Sequence, residues 1–582
     1  MLKKVKTVLR VYNETGLSGV RHFANFRLHF LREKKKYQEW IRLYDNLTQN
    51  DISLIKKRIE KLKYKPLISV LMPVYNIEEK WLRKAIESVQ NQIYTNWEFC
   101  IADDCSSKPH IKKILNEYAE NDSRIKVVFR ESNGHISAAS NSALELVTGE
   151  FTALLDHDDE FSKHALYMVA EEVNTFPETD MIYSDEDLID EKGKRYEPKF
   201  KPDWSPDLLY SLNLITHLSV YRTSILRNIG GFRIGYEGSQ DYDLALRFNE
   251  QVEVKNIRHI PHILYHWRAI PGSVAYNPNQ KNYAHERARL AINSHFERSG
   301  IDAISTKGVY ELHRPVFAVP SNPPQVSLIL FSRQHSVTTY TNRLSEADYN
   351  PFEVILVGQK SDDNKFKYVF DENDSFYSSL NKAVQIAEGS VLCFLNTSTV
   401  PLKNDWLKEL TSHALRNDIG AVGAKIYYPD TTIKHAGFLL GINNGIGISH
   451  HHFPKISTGN FVRLQVTQNF CAVSIDCLTI KKELFESVEG FDTTNFPNQY
   501  GDVDLCLRLK EKGFRNVWTP WAEFTQPEDY KSNDEDELNS LKKRWKPFFD
   551  NDPYFNPNFS NETDNFSLAI PPRIKKVWKE ND

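Results

Sequence analysis

The sequence predicts an α/β protein made of two similar domains in tandem, each built around a sheet of mostly parallel strands. Two segments of the first half recur in the second. The apolar run 68–74 returns as 326–331, and Gln240-Asp241-Tyr242-Asp243 returns as Gly501-Asp502-Val503-Asp504. The offsets of 258 (327 − 69) and 261 (502 − 241) nearly agree, as a duplicated domain requires. A chain of 582 residues is also too long for a single core.

In the first repeat, apolar β-rich runs alternate with amphipathic helical stretches. The predicted order is strand Leu67–Val74, helix Lys80–Gln90, strand Trp97–Ala102, helix Ile111–Glu120, strand Ile125–Phe129, helix Ile136–Val147 and strand Phe151–Leu155. This alternation implies right-handed crossovers and a mostly parallel sheet that is covered on both faces. Ligands of such sheets bind at the carboxyl ends of the strands, so polar residues directly after a strand are the candidates for a site.

The second repeat follows the same plan. Its predicted elements are strands Val326–Phe331, Phe352–Val357 and Val391–Leu395 and helix Ser378–Ala387. We therefore expect a basic helical extension at 1–65, a first domain at 66–317, a proline-rich linker at 318–325, a second domain at 326–530 and a helical, aromatic tail at 531–582.

Composition excludes several classes of protein. A hydrophobic content of 40% with 12% aromatic residues is typical of a globular chain and not of a disordered one. No apolar run approaches the roughly 20 residues of a membrane helix, and the first residues lack the apolar stretch of a signal peptide. Six cysteines without a Cys-x-x-Cys pair favour a reducing compartment. The predicted location is the cytoplasm.

Positive charge is concentrated at the N-terminus. Residues 1–65 hold 17 Lys and Arg against 6 Asp and Glu, a net +11, whereas the remainder carries 56 against 71, a net −15. Helices are predicted over Leu31–Asn46 and Asp51–Leu62. Such a segment either packs on the first domain as a solvated arm or makes a peripheral contact with the anionic inner face of the plasma membrane. Nucleic acid is not an expected partner, because the basic block holds no recognisable reading motif.

The acids that follow the fourth predicted strand are the first candidates for chemistry. Asp156 and Asp158 lie one residue apart just past Phe151–Leu155, where both side chains can turn to one side. Carboxylates in that arrangement suit Mg²⁺ or Mn²⁺ bound together with a diphosphate. The alternative is structural: Asp159 or Ser162 would cap the following helix.

A second acidic pair, Asp103-Asp104, follows the strand Trp97–Ala102. These carboxylates could accept hydrogen bonds from a nucleobase imide and a ribose hydroxyl, or they could form an Asx-type turn. The dipeptide Asn133-Gly134 can bring backbone close to the same ligand.

Two further candidates lie downstream. Asp241 and Asp243 stand where a loop runs into a helix, and as residues i and i+2 they point in different directions. One of them can face a cleft and take a proton from a sugar hydroxyl while the other caps the helix. His266 ends an apolar stretch, where it could complete a metal shell, contact phosphate or make a structural hydrogen bond.

Taken together, these residues resemble family 2 glycosyltransferases of the GT-A fold, most closely the two-domain type of bacterial surface-polysaccharide and rhamnan clusters. The resemblance covers nearly the whole chain. It rests on long strings: Leu154-Leu155-Asp156-His157-Asp158-Asp159-Glu160, Tyr183-Ser184-Asp185-Glu186-Asp187, Phe200-Lys201-Pro202-Asp203-Trp204-Ser205-Pro206-Asp207 and Gln240-Asp241-Tyr242-Asp243.

The resemblance implies a role for each matching residue. Pro73, Tyr75 and Asp103-Asp104 would cradle the nucleoside of the donor. Asp156 and Asp158 would form the DxD motif, with Asp158 as the direct ligand of the divalent ion. His266 would join the metal or phosphate shell, Asp241 would be the catalytic base, and Asp185 would border the sugar-binding region together with its two acidic neighbours.

The second repeat departs from the family pattern at three donor positions. Gly358-Gln359 stands where the aspartate pair is expected, Asn396-Thr397-Ser398 replaces the DxD motif, and the late histidine is absent near Thr525. Asp502 remains as a base or a helix cap. We expect the second domain to be accessory, with a second, metal-independent transferase as the alternative.

The expected function is inverting, metal-dependent transfer of a sugar from a UDP- or dTDP-sugar to a growing glycan carried on lipid or protein, as in a surface polysaccharide or a glycoprotein glycan. Mn²⁺ or Mg²⁺ would be the cofactor, and a homo-oligomer is compatible with the sequence. A non-catalytic glycan-binding scaffold is the alternative. A sugar-1-phosphate nucleotidyltransferase is disfavoured, because Pro73-Val74-Tyr75-Asn76 offers no glycine-rich phosphate loop.

Overall fold

The computed structural model describes residues 31–270, 282–332, 346–358, 366–527 and 534–579, together with residues 24, 27 and 28. Most of the predicted basic extension before residue 31 lies outside these ranges, as does Gln359. The described residues form two large mixed sheets, one in each half of the chain, and the predicted α/β fold class with two similar units in tandem is confirmed.

The first half is built on a nine-stranded sheet of order β3-β2-β1-β4-β8-β6-β9-β5, with β7 paired to β6. Its strands are β1 (Ile68–Val74), β2 (Trp97–Asp103), β3 (Ile125–Phe129), β4 (Phe151–Leu154), β5 (Glu160–Phe161), β6 (Met181–Ile189), β7 (Arg195–Lys199), β8 (Ser219–Arg222) and β9 (Ile257–Arg268). The main helices are α1 (Gln49–Lys61), α2 (Glu79–Gln90), α3 (Pro109–Asn121), α4 (His135–Leu146), α5 (Ala165–Thr175), α6 (Pro206–Leu209), α7 (Thr223–Asn228), α8 (Gln240–Asn249) and α9 (Asn282–Arg298). A short hairpin of β10 (Ala303–Lys307) and β11 (His313–Phe317) ends this half.

The first seven predicted elements form as expected, because the spacing of the apolar residues in each segment puts them on a face that the fold buries. In α2 the side chains of Trp81, Leu82, Ala85, Ile86 and Val89 are all buried, which is the face that the 3.6-residue period predicts. Strands β1 and β2 are buried on both faces between helices, and they pair in parallel.

Downstream of β4 the sheet is mixed and not mostly parallel. Strand β8 lies between β4 and β6 and runs antiparallel to both. Strands β6 and β9 pair in parallel with two register shifts. The antiparallel insertion of β8 matters for the site, because it brings the residues that precede β8 to the edge where β4 ends.

The second half repeats this topology with order β14-β13-β12-β15-β22-β17-β23-β16. Its strands are β12 (Val326–Phe331), β13 (Phe352–Val357), β14 (Lys367–Val369), β15 (Val391–Asn396), β16 (Val400–Pro401), β17 (Ile419–Tyr427), β18 (Ile433–His435), β19 (Phe438–Ile442), β20 (Gly445–Ile448), β21 (Gln468–Phe470), β22 (Cys477–Lys481) and β23 (Arg515–Thr525). Its helices are α10 (Phe376–Ile386), α11 (Trp406–Ala414), α12 (Lys482–Ser487) and α13 (Gly501–Glu511), followed by α14 (Glu535–Arg544) and α15 (Lys546–Asp550).

A buried ion cluster joins the two halves. Asp207 of α6 is buried and pairs with Arg416 and with Arg515, whose Nε lies 3.2 Å from its Oδ2. Asn469 of β21 donates to the same Oδ2 from its Nδ2 at 2.7 Å. Burial alone would raise the pKa of Asp207, but the two guanidinium groups and the amide hold it well below its usual value.

The two ends of the described chain pack against the first half. A helix over residues 31–40 continues into a π-helical turn, Ile41–Asp45, and the Tyr37 hydroxyl donates to Asp187 Oδ2 at 2.5 Å. From the C-terminal side, the Trp578 indole donates to Asp51 Oδ1 at 3.0 Å. The described part of the predicted arm therefore lies on the first half; a membrane contact stays a prediction. None of the helices described is both long and apolar enough to cross a bilayer.

We predict that Asp207→Ala lowers the free energy of unfolding by about 3–5 kcal/mol, because it leaves two buried guanidinium groups without their shared partner. Urea denaturation at neutral pH measures this loss. Asp418→Ala is the matched control: Asp418 also pairs with Arg515, at 2.6 Å, but its side chain is 51% exposed. The control should lose less than about 1 kcal/mol. Equal losses for both variants would contradict the role of Asp207.

Candidate active site at the carboxyl edge of the first sheet

Several predicted candidates of the first half, namely Pro73, Tyr75, Asp103, Asp104 and Asp156, lie where β1, β2 and β4 end. These strands are parallel neighbours, so their carboxyl ends meet at one edge of the sheet. Pro73 is the penultimate residue of β1 and pairs with Ala102 of β2. Tyr75 follows β1 with an exposed ring, whereas Asp103 and Asp104 at the end of β2 are buried.

The acidic pair after β2 is held by protein groups. Asp103 accepts from the Ser106 backbone N–H with both oxygens at 3.3 Å, which is a turn of the kind that the structural alternative predicted. Asp104 Oδ1 accepts from Arg130 Nε and from the Gly134 N–H, each at 2.9 Å. Asn133 donates from its Nδ2 to the Asp104 carbonyl at 3.2 Å. The loop between β3 and α4 and the loop after β2 are thus tied together.

Three potential metal ligands converge next to this pair. One ligand atom each of Asp156, Asp159 and His217 lies within 4.8 Å of the other two. This is the one such group among the residues that the structure describes. Asp156 and Asp159 come from the loop after β4, and His217 comes from the segment just before β8. The His217 Nε2 lies 3.9 Å from Asp156 Oδ2, and the Asp156 side chain is 45% exposed.

His217 is charged in this setting. Its Nδ1 lies 3.1 Å from Glu186 Oε2, and its ring stacks on Tyr265 with centroids 4.2 Å apart. Burial alone would lower the pKa of His217, but the carboxylates of Glu186, Asp156 and Asp159 outweigh it and raise the pKa to about 10. The imidazole is therefore an imidazolium at neutral pH.

Glu186 is the buried anchor of that imidazolium. Lys199 Nζ lies 2.7 Å from its Oε1 and Lys201 Nζ lies 3.2 Å from its Oε2. Burial would raise the pKa of Glu186, but the two lysines and His217 hold it well below its usual value. Charges of alternating sign thus run inward from Asp156 through His217 and Glu186 to the lysines.

Asp159 is fixed by two donors. The Tyr265 hydroxyl donates to its Oδ2 at 2.6 Å, and the Arg268 N–H donates to its Oδ1 at 2.7 Å. Burial, with the nearby charges of Asp158 and Asp156, raises its pKa well above the ordinary value. It does not cap α5, whose N-cap residue is His164.

Asp158, the predicted direct metal ligand, is not part of the three-ligand group. Its Oδ1 lies 3.5 Å from His157 Nδ1, and its carbonyl accepts from Arg268 Nε at 2.8 Å. The group instead contains Asp156, the other member of the predicted motif. Direct ligation by Asp158 stays a prediction.

His266 and Asp185 are not brought to this group either. His266 Nδ1 lies 2.6 Å from Asp187 Oδ1 and its Nε2 lies 3.1 Å from Ser162 Oγ, so both ring nitrogens face protein partners. The reason is the alternation of side chains along β9: Tyr265 and Trp267 face His217, and His266 between them faces the other way.

Asp185 is buried and binds the C-terminal tail. Its Oδ1 accepts from the Lys201 N–H at 2.8 Å and lies 3.0 Å from His259 Nε2, and Asn556 Nδ2 donates to its Oδ2 at 2.9 Å. Both carboxylate oxygens of Asp185 thus have protein partners, and its contact with the donor stays a prediction. The neighbouring Glu186, reached through His217, is the acid of this segment that borders the site.

Asp241 and Asp243 point in different directions, as their spacing predicts. Asp243 is buried between Arg233 and Arg247, with Arg247 Nε 2.8 Å from its Oδ2, and is structural. Asp241 lies in the first turn of α8, and its Oδ2 accepts a hydrogen bond from Asn213 Nδ2 at 2.8 Å. Burial and the charge of Asp156 raise the pKa of Asp241, while His217 opposes them. The segment 213–217 serves both acids, because Asn213 donates to Asp241 and His217 faces Asp156.

Asp502, the counterpart of Asp241 in the second half, has a different setting. It is buried at the start of α13, where the Tyr377 hydroxyl donates to its Oδ1 at 3.1 Å and the Ile475 N–H donates to its Oδ2 at 2.9 Å. Both oxygens of Asp502 thus serve the fold, whereas Asp241 is partly exposed.

His217 and Asn213 are the residues of this site that sequence reasoning missed. They lie in a segment without a recognisable motif, Asn213-Leu214-Ile215-Thr216-His217. Only the antiparallel placement of β8 next to β4 brings them to the edge. The sequence shows only two polar residues, Asn213 and His217, ahead of an apolar strand. This pattern is too common to identify them as site residues.

Comparison with known proteins supports one family. The model described as glycosyl transferase family 2 matches residues 69–230. The putative colanic acid biosynthesis glycosyl transferase WcaA of Escherichia coli is 30% identical over 214 residues, which are 35% of this chain and 74% of that protein.

Longer relatives match over most of the chain. The uncharacterized protein y4gI of Sinorhizobium fredii is 38% identical over 564 residues, covering 92% of this chain and 62% of that protein. The O-antigen biosynthesis protein RfbC of Myxococcus xanthus is 34% identical over 487 residues, covering 80% of this chain and 38% of that protein. The chain thus spans less than two thirds of these two relatives.

Among solved structures, residues 1–349 of TarS from S. aureus in complex with UDP-GlcNAc match with a TM-score of 0.33 and 21% identity, over 40% of this chain and 66% of that one. A match at this level carries no argument about ligands.

We predict that His217 keeps its proton well above neutral pH in the metal-free protein. An NMR titration of the ring should give a midpoint near pH 10, and Glu186→Gln should move it toward the ordinary value of 6.5. Because the pKa is raised in the folded state, the stability from this contact is full below pH 6.5 and is lost as the pH rises toward 10. A midpoint near 6.5 in the unsubstituted protein would refute the charge assignment.

Proposed function

The chain belongs to glycosyltransferase family 2, and on that premise we propose that its first half transfers a sugar from a nucleotide-sugar donor to a growing glycan with inversion at the anomeric carbon. The observation that carries the proposal is the shared edge of the first sheet. There Asp241, a partly exposed carboxylate with a raised pKa, and Asp156 both face the segment 213–217, through Asn213 at 2.8 Å and His217 at 3.9 Å. A base and a charged group for the leaving diphosphate are what such a transfer needs.

Asp241 is the proposed general base. In the inverting reaction the acceptor hydroxyl attacks the anomeric carbon from the face opposite the departing diphosphate, and Asp241 Oδ1 or Oδ2 takes its proton. Burial raises the pKa of Asp241, which brings the carboxylate closer to the range in which a base is efficient. Asn213, by donating to Oδ2 at 2.8 Å, orients the carboxylate.

Asp156 and His217 are the proposed binding groups for the diphosphate and its cation. Carboxylate oxygen and imidazole nitrogen suit Mn²⁺, and the His217 Nε2 faces Asp156 while Nδ1 is held by Glu186. When bound, a divalent cation neutralises charge that develops on the leaving group. His217 must lose its proton to ligate, so metal binding should strengthen as the pH rises.

The nucleoside would lie along the ends of β1 and β2. Tyr75 offers an exposed ring there, and Pro73, Asp103, Asp104 and Asn133 form the wall behind it. A UDP- or dTDP-sugar is the proposed donor. The similarity to the O-antigen biosynthesis protein RfbC and to the putative colanic acid glycosyl transferase WcaA supports a surface-polysaccharide glycan as the acceptor. We propose the cytoplasmic face of the membrane as the place of reaction, with the basic N-terminal segment as its contact.

The second half is proposed to be accessory. Asn396 and Ser398 stand at the positions of Asp156 and Asp158, and Asp502 has both oxygens occupied by the fold. These replacements favour one catalytic site over the alternative of two active halves. A scaffold without catalysis is less well supported, since the first half keeps its acids at a partly open edge.

We predict that Asp241→Asn lowers turnover by about 10²–10⁴-fold while nucleotide binding is kept, because only the proton acceptor is lost. Asp502→Asn is the matched control in the second half and should change turnover by less than about threefold, or roughly 0.65 kcal/mol in the barrier. Steady-state nucleotide release with a panel of UDP-, dTDP- and GDP-sugars measures both. A comparable fall in Asp502→Asn would mean that the second half is catalytic.

We predict that activity needs a divalent ion and the acids after β4. Chelation should abolish nucleotide release, and Mn²⁺ should restore it. Asp156→Ala and Asp158→Ala should each remove turnover even at saturating Mn²⁺, since both weaken the binding of the cation and its diphosphate. Ser398→Ala, at the Asp158 position of the second half, serves as the control and should stay metal-dependent and active. Full activity after chelation would overturn the metal assignment.

A further inference from the structure

The second sheet has a polar edge that matches the active-site edge strand for strand. Ile68 lies opposite Phe151 in the first sheet, and Val326 lies opposite Val391 in the second. Counting along β4 and β15 from these pairs places Asn396 at the position of Asp156. The same count places Ser398 at the position of Asp158.

Three further positions of the site correspond in the same way. Phe151 lies opposite Arg222 and Val391 opposite Lys481, so Asp476 takes the place of His217. His266 and Thr525 lie opposite Glu160 and Val400, so Gln526 takes the place of Trp267. His435 lies opposite Ile426 as Lys199 lies opposite Glu186. We call these second-half residues the neutral edge: Asn396, Ser398, His435, Asp476 and Gln526.

The residue differences at these corresponding positions leave the second half with a nearly neutral site where the first half has a charged one. In the first half these positions and the anchor Glu186 carry charges of both signs. In the neutral edge Asp476 is the one acid, and burial lowers the pKa of His435 to about 4, so that ring is uncharged at neutral pH. One carboxylate without a neighbouring acid is a poor ligand set for a divalent ion, and no cation is present in this set for a diphosphate.

Four residues of the neutral edge, all but His435, form a continuous hydrogen-bond network. Asn396 Nδ2 donates to Asp476 Oδ1 at 2.9 Å, and the Ser398 hydroxyl donates to Asn396 Oδ1 at 2.9 Å. Gln526 Nε2 donates to Ser398 Oγ at 3.1 Å. Asp476 is partly exposed, so the network opens to solvent at its carboxylate. Amides, a hydroxyl and a carboxylate in one network are the groups that hydrogen-bond sugar hydroxyls.

Two buried residues of the neutral edge have polar atoms that the described chain does not satisfy. His435 is 6% exposed; its Nδ1 accepts from the Gly437 N–H at 3.2 Å, so the proton sits on Nε2, for which the described residues offer no acceptor. Gln526 is 2% exposed, and its Oε1 likewise meets no donor within the described ranges. A buried donor and acceptor left in this state are costly, and a ligand with hydroxyl groups can satisfy both.

Stacked rings begin one residue from this network, because the Gln526 N–H donates to the Tyr427 carbonyl at 2.8 Å and Tyr428 is the next residue. The Tyr428 ring stacks on His452 with centroids 5.1 Å apart. His451 stacks on the same His452 ring with centroids 3.8 Å apart. His452 is exposed and Tyr428 is half-buried. Flat rings beside a hydrogen-bonding network give the apolar face of a pyranose a surface to pack on.

We propose that the neutral edge binds an uncharged sugar residue. The ligand is a neutral glycoside and not a nucleotide diphosphate or an acidic sugar, because the Asp476 carboxylate disfavours negative charge and the set has no second acid with which to hold a divalent ion. The identification of this sugar as part of the acceptor glycan rests on the proposed function. In that case the second half holds the growing chain while the first half extends it.

Saturation-transfer-difference NMR on the full chain tests the binding. The probes are the methyl glycosides of glucose, galactose, rhamnose and N-acetylglucosamine, with methyl glucuronide as the acidic comparison. We expect transfer to at least one neutral glycoside, in the unsubstituted protein and in Asp158→Asn alike, and little transfer to the glucuronide. The double variant His435→Asn with Gln526→Leu should lose most of the signal; Asn at 435 keeps an acceptor for the Gly437 N–H.

Thermal unfolding checks that the double variant is folded, and Ser398→Ala with Gln526→Leu replaces it if it is not. Unchanged saturation transfer in the folded variant, or no transfer to any neutral glycoside in the unsubstituted protein, would overturn the proposal.

Kinetics separate this inference from the proposed function. With a glycan acceptor, the double variant should raise KM for the acceptor by about tenfold, as the loss of one or two hydrogen bonds implies, and leave kcat and donor hydrolysis unchanged. If the unsubstituted protein hydrolyses no nucleotide-sugar but still binds the glycosides through 435 and 526, the proposed function fails and sugar binding stands. A fall in kcat without a change in KM would refute the acceptor role.

Discussion

The alternating charges that run from Asp156 through His217 and Glu186 to Lys199 and Lys201 determine what this protein can do. Each charge is buried or partly buried, and each is stable only because its neighbour has the opposite sign. The His217 imidazolium depends on Glu186, 3.1 Å away, and Glu186 depends on the two lysines. The result is a polar edge of fixed geometry beside the open carboxylate of Asp241, which a reaction that builds up charge on a diphosphate can use.

The duplicated half shows what happens to such an edge when its charges change. With isoleucine at the position of Glu186 there is no anchor for an imidazolium, and the position of His217 holds Asp476 instead. Asn396 now donates to that carboxylate at 2.9 Å. The two sheets share strand order and register, so the difference in chemistry comes from a handful of side chains and not from the fold. Asp207 and its arginines meanwhile hold the halves together.

Much of the fold could be predicted because its signals are local. The repeated strings, the helical period of α2 and the apolar runs of β1 and β2 each identify an element without knowledge of the rest. The acids after β2 and β4 were found for the same reason, since a carboxyl end of a parallel strand is a place that topology fixes. Asp241 and Asp243 diverge as residues i and i+2 of a helix must.

The rest depends on long-range pairing that local patterns do not reveal. His217 reaches the site only because β8 inserts antiparallel beside β4, and His266 is turned away by the alternation along β9. No local pattern marks Asp185 as a residue that binds the C-terminal tail. Its partner Asn556 lies 371 residues later in the chain. The neutral edge also depends on long-range strand pairing. The sequence alone indicates only that the acids of the first half are replaced there.

Whether Asp156 and His217 bind the cation of the donor diphosphate can be tested with a crystal of the full chain grown with UDP and Mn²⁺, with data collected for the anomalous signal of manganese. We expect one strong anomalous peak at coordination distance from Asp156 and His217, with the nucleotide along the ends of β1 and β2. A peak or a nucleotide found only at the edge of the second sheet would contradict it.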